Sequence, residues 1–162
     1  METKPAKLAG QDMPFEEITS KDIGKTITTQ ARIEHITTPT PSMVKAIFEC
    51  RSCMRLYEVD EKEVSPDIYE PAVCQECGGR SFKLLLNESK FQDTQELTIS
   101  KVDTCKTLKV VLSDKATSYD RYFPNQEVEV EGQVKVRKNK NEFELYLDCC
   151  GIGIIGGIKP GR

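Results

Sequence analysis

Four of the seven cysteines form two Cys-x-x-Cys pairs, Cys50 with Cys53 and Cys74 with Cys77, separated by twenty residues. The two residues inside each pair allow both thiolates to face one metal ion at about 2.3 Å. This spacing is typical of a structural zinc ribbon, and a Gly-Gly dipeptide that tolerates positive φ follows the second pair. The sequence therefore predicts one structural Zn²⁺ bound by four thiolates, which leaves no open coordination position for catalysis.

A redox pair and a disulfide framework are the alternative interpretations of these cysteines. An odd number of cysteines excludes complete pairing in a monomer, and no βαβ pattern places a Cys-x-x-Cys at a helix start. The N-terminal segment lacks the apolar stretch of a secretory signal, and no apolar run approaches the ~20 residues of a membrane span. We therefore expect an intracellular protein, in the cytoplasm of a prokaryote or in a nucleus, whose thiols stay reduced.

The three remaining cysteines are predicted to be small, buried apolar side chains rather than ligands. They are Cys105, Cys149 and Cys150.

Most of the chain outside the cysteine pairs alternates between apolar and polar residues, as β-strands do. The predicted strands are 26–36, 42–50, 82–86, 95–100, 107–113, 127–138 and 142–152. The last two form a long hairpin, and Asn139 and Asn141 suit its tip because Asn tolerates left-handed turns. A short helix is expected within 113–123, capped by Ser113 or Asp114.

About five main strands with one short helix before the last hairpin predict an all-β fold. We expect a five-stranded Greek-key barrel of the OB type, with an inserted zinc ribbon and a C-terminal β-hairpin. The predicted boundaries are a flexible tail at 1–17, the OB-fold domain at 18–157, the ribbon at 50–80 and a second tail at 158–162. The strand at 42–50 is counted as the second strand of the barrel.

Catalytic motifs are poorly supported. The run "IGKT" at 23–26 resembles the end of a P-loop, but the first glycine of that motif is missing and a strand follows. The run "GIGIIG" at 151–156 matches a dinucleotide-binding pattern, but only six residues follow it. His35 is the one histidine, so histidine-based nucleophilic catalysis has no visible partner, and we expect no enzymatic activity and no small-molecule substrate.

A longer ordered set of motifs is more specific than any of these. It comprises "IGK" before the first strand, "P-x-x-VKA-x-F-x-C-x-x-C", "C-x-x-CGG-x-SF", "E-S-x-F-x-D-x-Q-x-L-x-I", "VVLSD" and "VEVEGQVKVR". Over about residues 22 to 150, the chain resembles the N-terminal region of the minichromosome maintenance (MCM) replicative helicases. The preceding helical subdomain and the ATPase module of the family have no counterpart in this sequence.

The resemblance implies a non-catalytic DNA-binding and assembly module of the DNA replication machinery. In the family, this region encircles single- or double-stranded DNA within a ring of subunits, without sequence specificity. A β-hairpin pointing into the channel touches the DNA, and the ribbon helps subunits or rings associate. Expected partners are therefore DNA and other MCM subunits, or further copies of this chain in a ring.

The charges divide these roles between two segments. Residues 50–80 carry four basic and seven acidic side chains, which disfavours phosphate binding and favours protein contacts. The opposite charge gathers near the predicted hairpin tip. The predicted DNA-binding residues are Lys135, Arg137, Lys138 and Lys140.

Two other functions are compatible with the same residues. One is an interaction or regulatory protein that docks on an MCM ring with little DNA binding. The other is a zinc-ribbon and OB-fold scaffold for acyl-CoA enzymes, which is disfavoured because two predicted strands precede the ribbon here.

Overall fold

The computed structural model describes residues 10–60 and 70–156, and its regular elements there are β-strands and short 3-10 helices. The strands of this part of the chain are β1 (Gln11–Asp12), β2 (Thr26–Ile36), β3 (Thr40–Cys50), β4 (Leu56–Asp60), β5 (Phe82–Leu84), β6 (Lys90–Ser100), β7 (Thr107–Ser113), β8 (Glu127–Asn139) and β9 (Glu142–Gly156). The 3-10 helices are Phe15–Glu17, Ser20–Asp22 and Asp114–Ala116. None of the described helices has the length and apolar character needed to span a membrane.

The chain divides into two compact units. We call the first the barrel unit; it contains the residues up to Thr40 and those from Asp93 onward. We call the second the ribbon unit; it contains Pro41–Gln92.

Five strands of the barrel unit pair in a closed circuit. β2 pairs antiparallel with both β6 and β8, β8 pairs antiparallel with β9, β9 pairs parallel with β7, and β7 pairs antiparallel with β6. One parallel contact among antiparallel ones, in a five-stranded circuit, is the arrangement of an OB barrel. The prediction of an all-β OB fold is therefore confirmed.

The barrel core follows from the alternation along its strands. On β2, Ile27 and Ile33 are fully buried, whereas Thr26 and Gln30 point to the other face and are exposed. Matching apolar positions on the other strands complete the core. They include Leu97, Ile99, Val110, Leu112, Val128, Val130, Val134 and Leu147.

One predicted strand lies elsewhere than expected. The segment 42–50, predicted as the second barrel strand, falls in β3 of the ribbon unit, where β3 pairs with β4 and β5. The second strand of the closed circuit is β6 instead. Alternation shows that a segment is a strand and which face is buried, but it does not identify the pairing partner. The predicted domain boundaries themselves stay predictions.

The short helix predicted within 113–123 is limited to a 3-10 turn at Asp114–Ala116, and the predicted side-chain cap from Ser113 is not formed. The buried Gln95 side chain holds the following segment instead. Its amide nitrogen donates to the Ser118 carbonyl over 2.9 Å, and its amide oxygen accepts from the Ser118 N–H over 2.9 Å. These long-range bonds replace the local hydrogen bonds that a longer helix would need.

The hairpin strands β8 and β9 come unusually close at a bulge between Glu131 and Gly132. A Cβ atom at Gly132 would lie 2.8 Å from the Asp148 carbonyl oxygen on the facing strand. Glycine is therefore required here for close backbone approach.

Candidate functional site

The structure brings the four predicted ligand cysteines together in the ribbon unit. Their sulfur atoms all lie within 4.8 Å of one another. The Cys50 and Cys77 sulfurs are 3.6 Å apart, as are those of Cys53 and Cys74. A tetrahedral zinc site with Zn–S bonds of about 2.3 Å requires sulfurs about 3.8 Å apart, so the set fits one zinc ion. All four are free thiols, which disagrees with a disulfide framework.

Two similar backbone turns position these ligands. The Cys50 carbonyl accepts a hydrogen bond from the Met54 N–H over 2.9 Å, and the Cys74 carbonyl accepts one from the Gly78 N–H over 2.8 Å. Met54 and Gly78 both have left-handed backbone conformations, with φ of 68° and 76°. Each turn thus directs its two thiols to the same side, as a zinc knuckle requires.

The surroundings of the four thiols lower the pKa of two of them and raise the pKa of the other two. The hydroxyl of Tyr57 donates a hydrogen bond to the Cys74 sulfur over 3.2 Å and lowers the pKa of Cys74 to about 6. The backbone N–H of Cys53 likewise lowers the pKa of Cys50. The backbone N–H of Arg55 lowers the pKa of Cys53, but burial and the neighbouring thiols outweigh it and raise that pKa to about 12. A divalent cation between the sulfurs would allow all four to be thiolates at neutral pH.

The other cysteines are not all buried, contrary to the prediction. Cys105 and Cys150 are exposed, and Cys149 is half-buried. Burial raises the pKa of Cys149 to about 12, so this thiol stays protonated at neutral pH. Cys105 lies on the connection after β6, outside any strand. Cys150 lies on β9, but its side chain is on the outward-facing side of the strand and so does not enter the core.

The ribbon unit has a small core of its own beside the cysteines. Its buried apolar residues are Ala46, Phe48, Cys50, Cys74 and Phe82, with Met43, Tyr57 and Val59 packed against them. Several large apolar side chains of this unit remain exposed. They are Met54, Leu56, Val73, Leu84, Leu86 and Phe91. Phe48 therefore belongs to this core, whereas Phe91 is 46% exposed.

The predicted DNA-binding residues lie on the hairpin of β8 and β9. The strands stay paired up to Asn139 and Glu142, and the two-residue loop Lys140–Asn141 joins them, with φ of 60° at Lys140. Residues 138–143 are all exposed, so the tip stands clear of the barrel core. The lysine, rather than either asparagine, occupies the left-handed position of the turn.

One face of the hairpin, which we call the paired face, carries Lys135 and Arg137. The Lys135 ammonium lies 2.6 Å from an Asp148 carboxylate oxygen. The Arg137 guanidinium donates to Glu96 and to Glu144, both over 2.7 Å. Two of the four predicted cations are therefore already neutralised within the barrel unit, although any DNA contact they make stays a prediction.

Arg137 is further held by the ring of Tyr146, whose centre lies 5.0 Å from the guanidinium carbon. Burial lowers the pKa of Arg137, but the hydrogen bonds from its guanidinium to Glu96 and Glu144 outweigh this and raise it. The Arg137 side chain is 23% exposed, so its ion pairs with Glu96 and Glu144 are less accessible to solvent than surface pairs but are not fully buried. Arg137 therefore joins β6, β8 and β9 on the outside of the barrel.

We expect Arg137→Ala to lower the free energy of unfolding by about 2 kcal/mol, because it leaves Glu96 and Glu144 close together without their shared cation. Urea denaturation followed by circular dichroism measures this. Lys115→Ala, at an exposed lysine outside the hairpin, is the matched control and should change the value by less than about 0.5 kcal/mol. Equal unfolding midpoints for the two variants would contradict a structural role for Arg137.

The opposite face, which we call the open face, carries Lys138 and Phe143, paired directly across the hairpin. Both are exposed, and Phe143 is 71% exposed. The structure gives neither Lys138 nor Lys140 an ion pair within the described ranges 10–60 and 70–156. Phe143 continues the apolar alternation of β9, but it lies next to the loop, beyond the end of the core, and is therefore exposed.

Comparison with known proteins agrees with this geometry. The family described as MCM OB domain matches residues 14–138. Among solved structures, the chain is similar to the N-terminal domain of an archaeal MCM, with 27% sequence identity and a TM-score of 0.74. The similarity covers 90% of this chain and 62% of that one, so the chain spans about three-fifths of the length of its structural relative. No curated protein matches the chain significantly.

Proposed function

The chain belongs to the MCM OB-domain family, and on that premise we propose that it is a non-catalytic DNA-binding and assembly module of the DNA replication machinery. Its hairpin tip contacts the phosphate backbone without sequence specificity. The ribbon unit, folded on one zinc ion, serves contacts with MCM subunits or with other copies of this chain. The protein acts inside the cell, where reduced thiols can hold the metal.

The hairpin tip is the observation that carries the DNA-binding proposal. Lys138 and Lys140 are exposed at a narrow tip, and the described part of the structure gives neither a carboxylate partner. Cations without internal partners are available to replace counterions on a phosphate backbone. Lys135 and Arg137 would have to exchange an internal carboxylate for a phosphate, so we assign them a smaller part.

We expect Lys138→Ala/Lys140→Ala to weaken binding to oligo-dT about tenfold at low salt, because two phosphate contacts are lost. Fluorescence anisotropy across a salt series measures this. On single strands each neutralised phosphate contributes about −0.7 to the slope of log K against log salt, so the variant's slope should be shallower by about 1.4. Duplex DNA of the same length, run in parallel, reports strand preference.

The matched control is Lys83→Ala/Lys115→Ala, which removes two exposed lysines outside the hairpin and keeps the same net charge as the test variant. If both double variants lose affinity equally, the protein binds through its overall charge and the hairpin assignment is wrong. Wild-type protein with bound zinc that fails to bind either DNA at low salt would overturn DNA binding altogether.

A second candidate function is docking on an MCM ring with little DNA binding. The exposed apolar side chains of the ribbon unit favour it, because such side chains mark protein contact surfaces when they occur together. Sedimentation of the chain with a purified MCM N-terminal ring tests this candidate. Co-sedimentation that survives Lys138→Ala/Lys140→Ala but is lost in Leu56→Ser/Leu86→Ser would favour docking.

A further inference from the structure

Phe143 is the most exposed phenylalanine of the described chain and occupies an unusual place in the fold. It lies on β9 next to the hairpin loop, and its side chain is 71% exposed. The same side of the strand continues to Leu145, which is half-buried against the barrel core, and to Leu147, which is fully buried. Phe143 therefore extends the apolar side of β9 beyond the point where the core ends.

The ring has no partner within the described ranges. The aromatic and cation–π contacts found there involve other rings, and the nearest residue across the ladder is the exposed Lys138. Directly opposed residues in an antiparallel pair have Cβ atoms about 4.5–5.5 Å apart. An aromatic face and an ammonium group are thus presented to solvent side by side. Lys140 lies in the adjoining loop, two residues after Lys138.

The cations and the aromatic ring of the open face are accessible to a ligand, unlike those of the paired face. On the paired face, each cation lies within 2.7 Å of a carboxylate, and the buried ring of Tyr146 is covered by Arg137. On the open face, both the cation and the ring are available to a ligand. The complementary ligand is an anionic chain that also carries flat apolar groups, which describes a single-stranded nucleic acid.

We propose that Phe143 stacks on an unpaired base while Lys138 and Lys140 bind the flanking phosphates, so that the hairpin tip selects single-stranded over double-stranded DNA. The inference rests on the proposed function and specifies its substrate. In a duplex, the faces of the bases are covered by their neighbours and the ring would reach only their edges. Every base has a π-face, so stacking adds affinity without sequence preference.

The test compares oligo-dT of about 16 nucleotides with an abasic oligonucleotide of the same length, which keeps the phosphates and removes the bases. Anisotropy should show the wild type binding oligo-dT about tenfold more tightly than the abasic strand. Phe143→Ala should lose that difference while its affinity for the abasic strand is unchanged, and Phe143→Trp should retain it. Phe143 is exposed, so these variants should fold.

Tyr119→Ala is the matched control, because Tyr119 is another exposed aromatic residue of the barrel unit, 81% exposed, and lies outside the hairpin. It should behave as the wild type. Equal binding of the wild type to oligo-dT and to the abasic strand would overturn base stacking and leave the proposed DNA binding intact. Absence of binding to both strands would overturn both proposals.

A protein occupant of the open face gives a different result. If Phe143→Ala changes the sedimentation coefficient of the protein and leaves the affinity for oligo-dT unchanged, the ring belongs to a subunit interface. That outcome also overturns the stacking proposal.

Discussion

Cys74→Ser is expected to abolish metal binding and to unfold the ribbon unit while the barrel unit keeps its strands. Cys74 is buried, its sulfur is one of four within 4.8 Å, and Tyr57 donates to it. The core cluster beside the cysteines consists of five buried residues, two of which are ligand cysteines, so little of this core remains without the metal. Structural zinc supplies about 10–16 kcal/mol of apparent folding free energy in small finger domains.

Metal analysis and two-dimensional NMR measure this outcome. The wild type should contain one equivalent of zinc, and the variant none, with loss of the dispersed amide signals of residues 41–60 and 70–92. Cys105→Ser, at an exposed cysteine of the barrel unit, is the control and should retain both zinc and signals. A Cys74→Ser protein that is free of metal and still shows a folded ribbon unit would contradict a structural role for the ion.

Gly132→Ala is expected to lower the free energy of unfolding by about 3 kcal/mol, at the upper end of the usual cost of overpacking. The added Cβ would lie 2.8 Å from the Asp148 carbonyl oxygen and 3.2 Å from the Cα of Cys149. Both are main-chain atoms of a paired strand, so neither can move aside without breaking the β8–β9 ladder. Urea denaturation followed by circular dichroism gives the value.

Gly153→Ala is the matched control for this change. Gly153 lies on β9 of the same hairpin, and a Cβ at this position would have no atom within 4 Å. Its free energy of unfolding should change by less than about 1 kcal/mol. If the two alanine variants unfold at the same urea concentration, the close approach at the bulge does not contribute to stability.

The strands could be predicted well because their side chains alternate with period two. The bounds of β2 and β7 agree with prediction, and β8 differs by one residue at its end. The pairing of the strands could not be predicted in the same way, since β3 is an apolar strand of the same length as β2 but belongs to the ribbon unit. The helix predicted after Ser113 failed for a similar reason, because the long-range bonds of Gln95 determine that segment.

The metal ligands could be predicted from the sequence residue by residue, whereas for the hairpin cations only the region could be predicted. The spacing of the cysteines names the ligands directly, since two residues between thiols limit the geometry. The basic cluster gave the right region but could not show which cations are free, because Glu96, the partner of Arg137, comes from a distant strand. Alternation does separate Arg137 from Lys138 on opposite faces, and this signal was available in the sequence.

The position of the ribbon unit between the first and second barrel strands also affects how fast the barrel can form. Ile36 of β2 pairs with Leu97 of β6, so about 60 residues of chain must be closed before this contact exists. Reducing a flexible loop of that size to about 10 residues lowers the entropic cost of closure by about 1.5 kcal/mol. A ribbon already folded on its metal would shorten the loop in this way, and Cys74→Ser should therefore refold its barrel more slowly than the wild type in stopped-flow experiments.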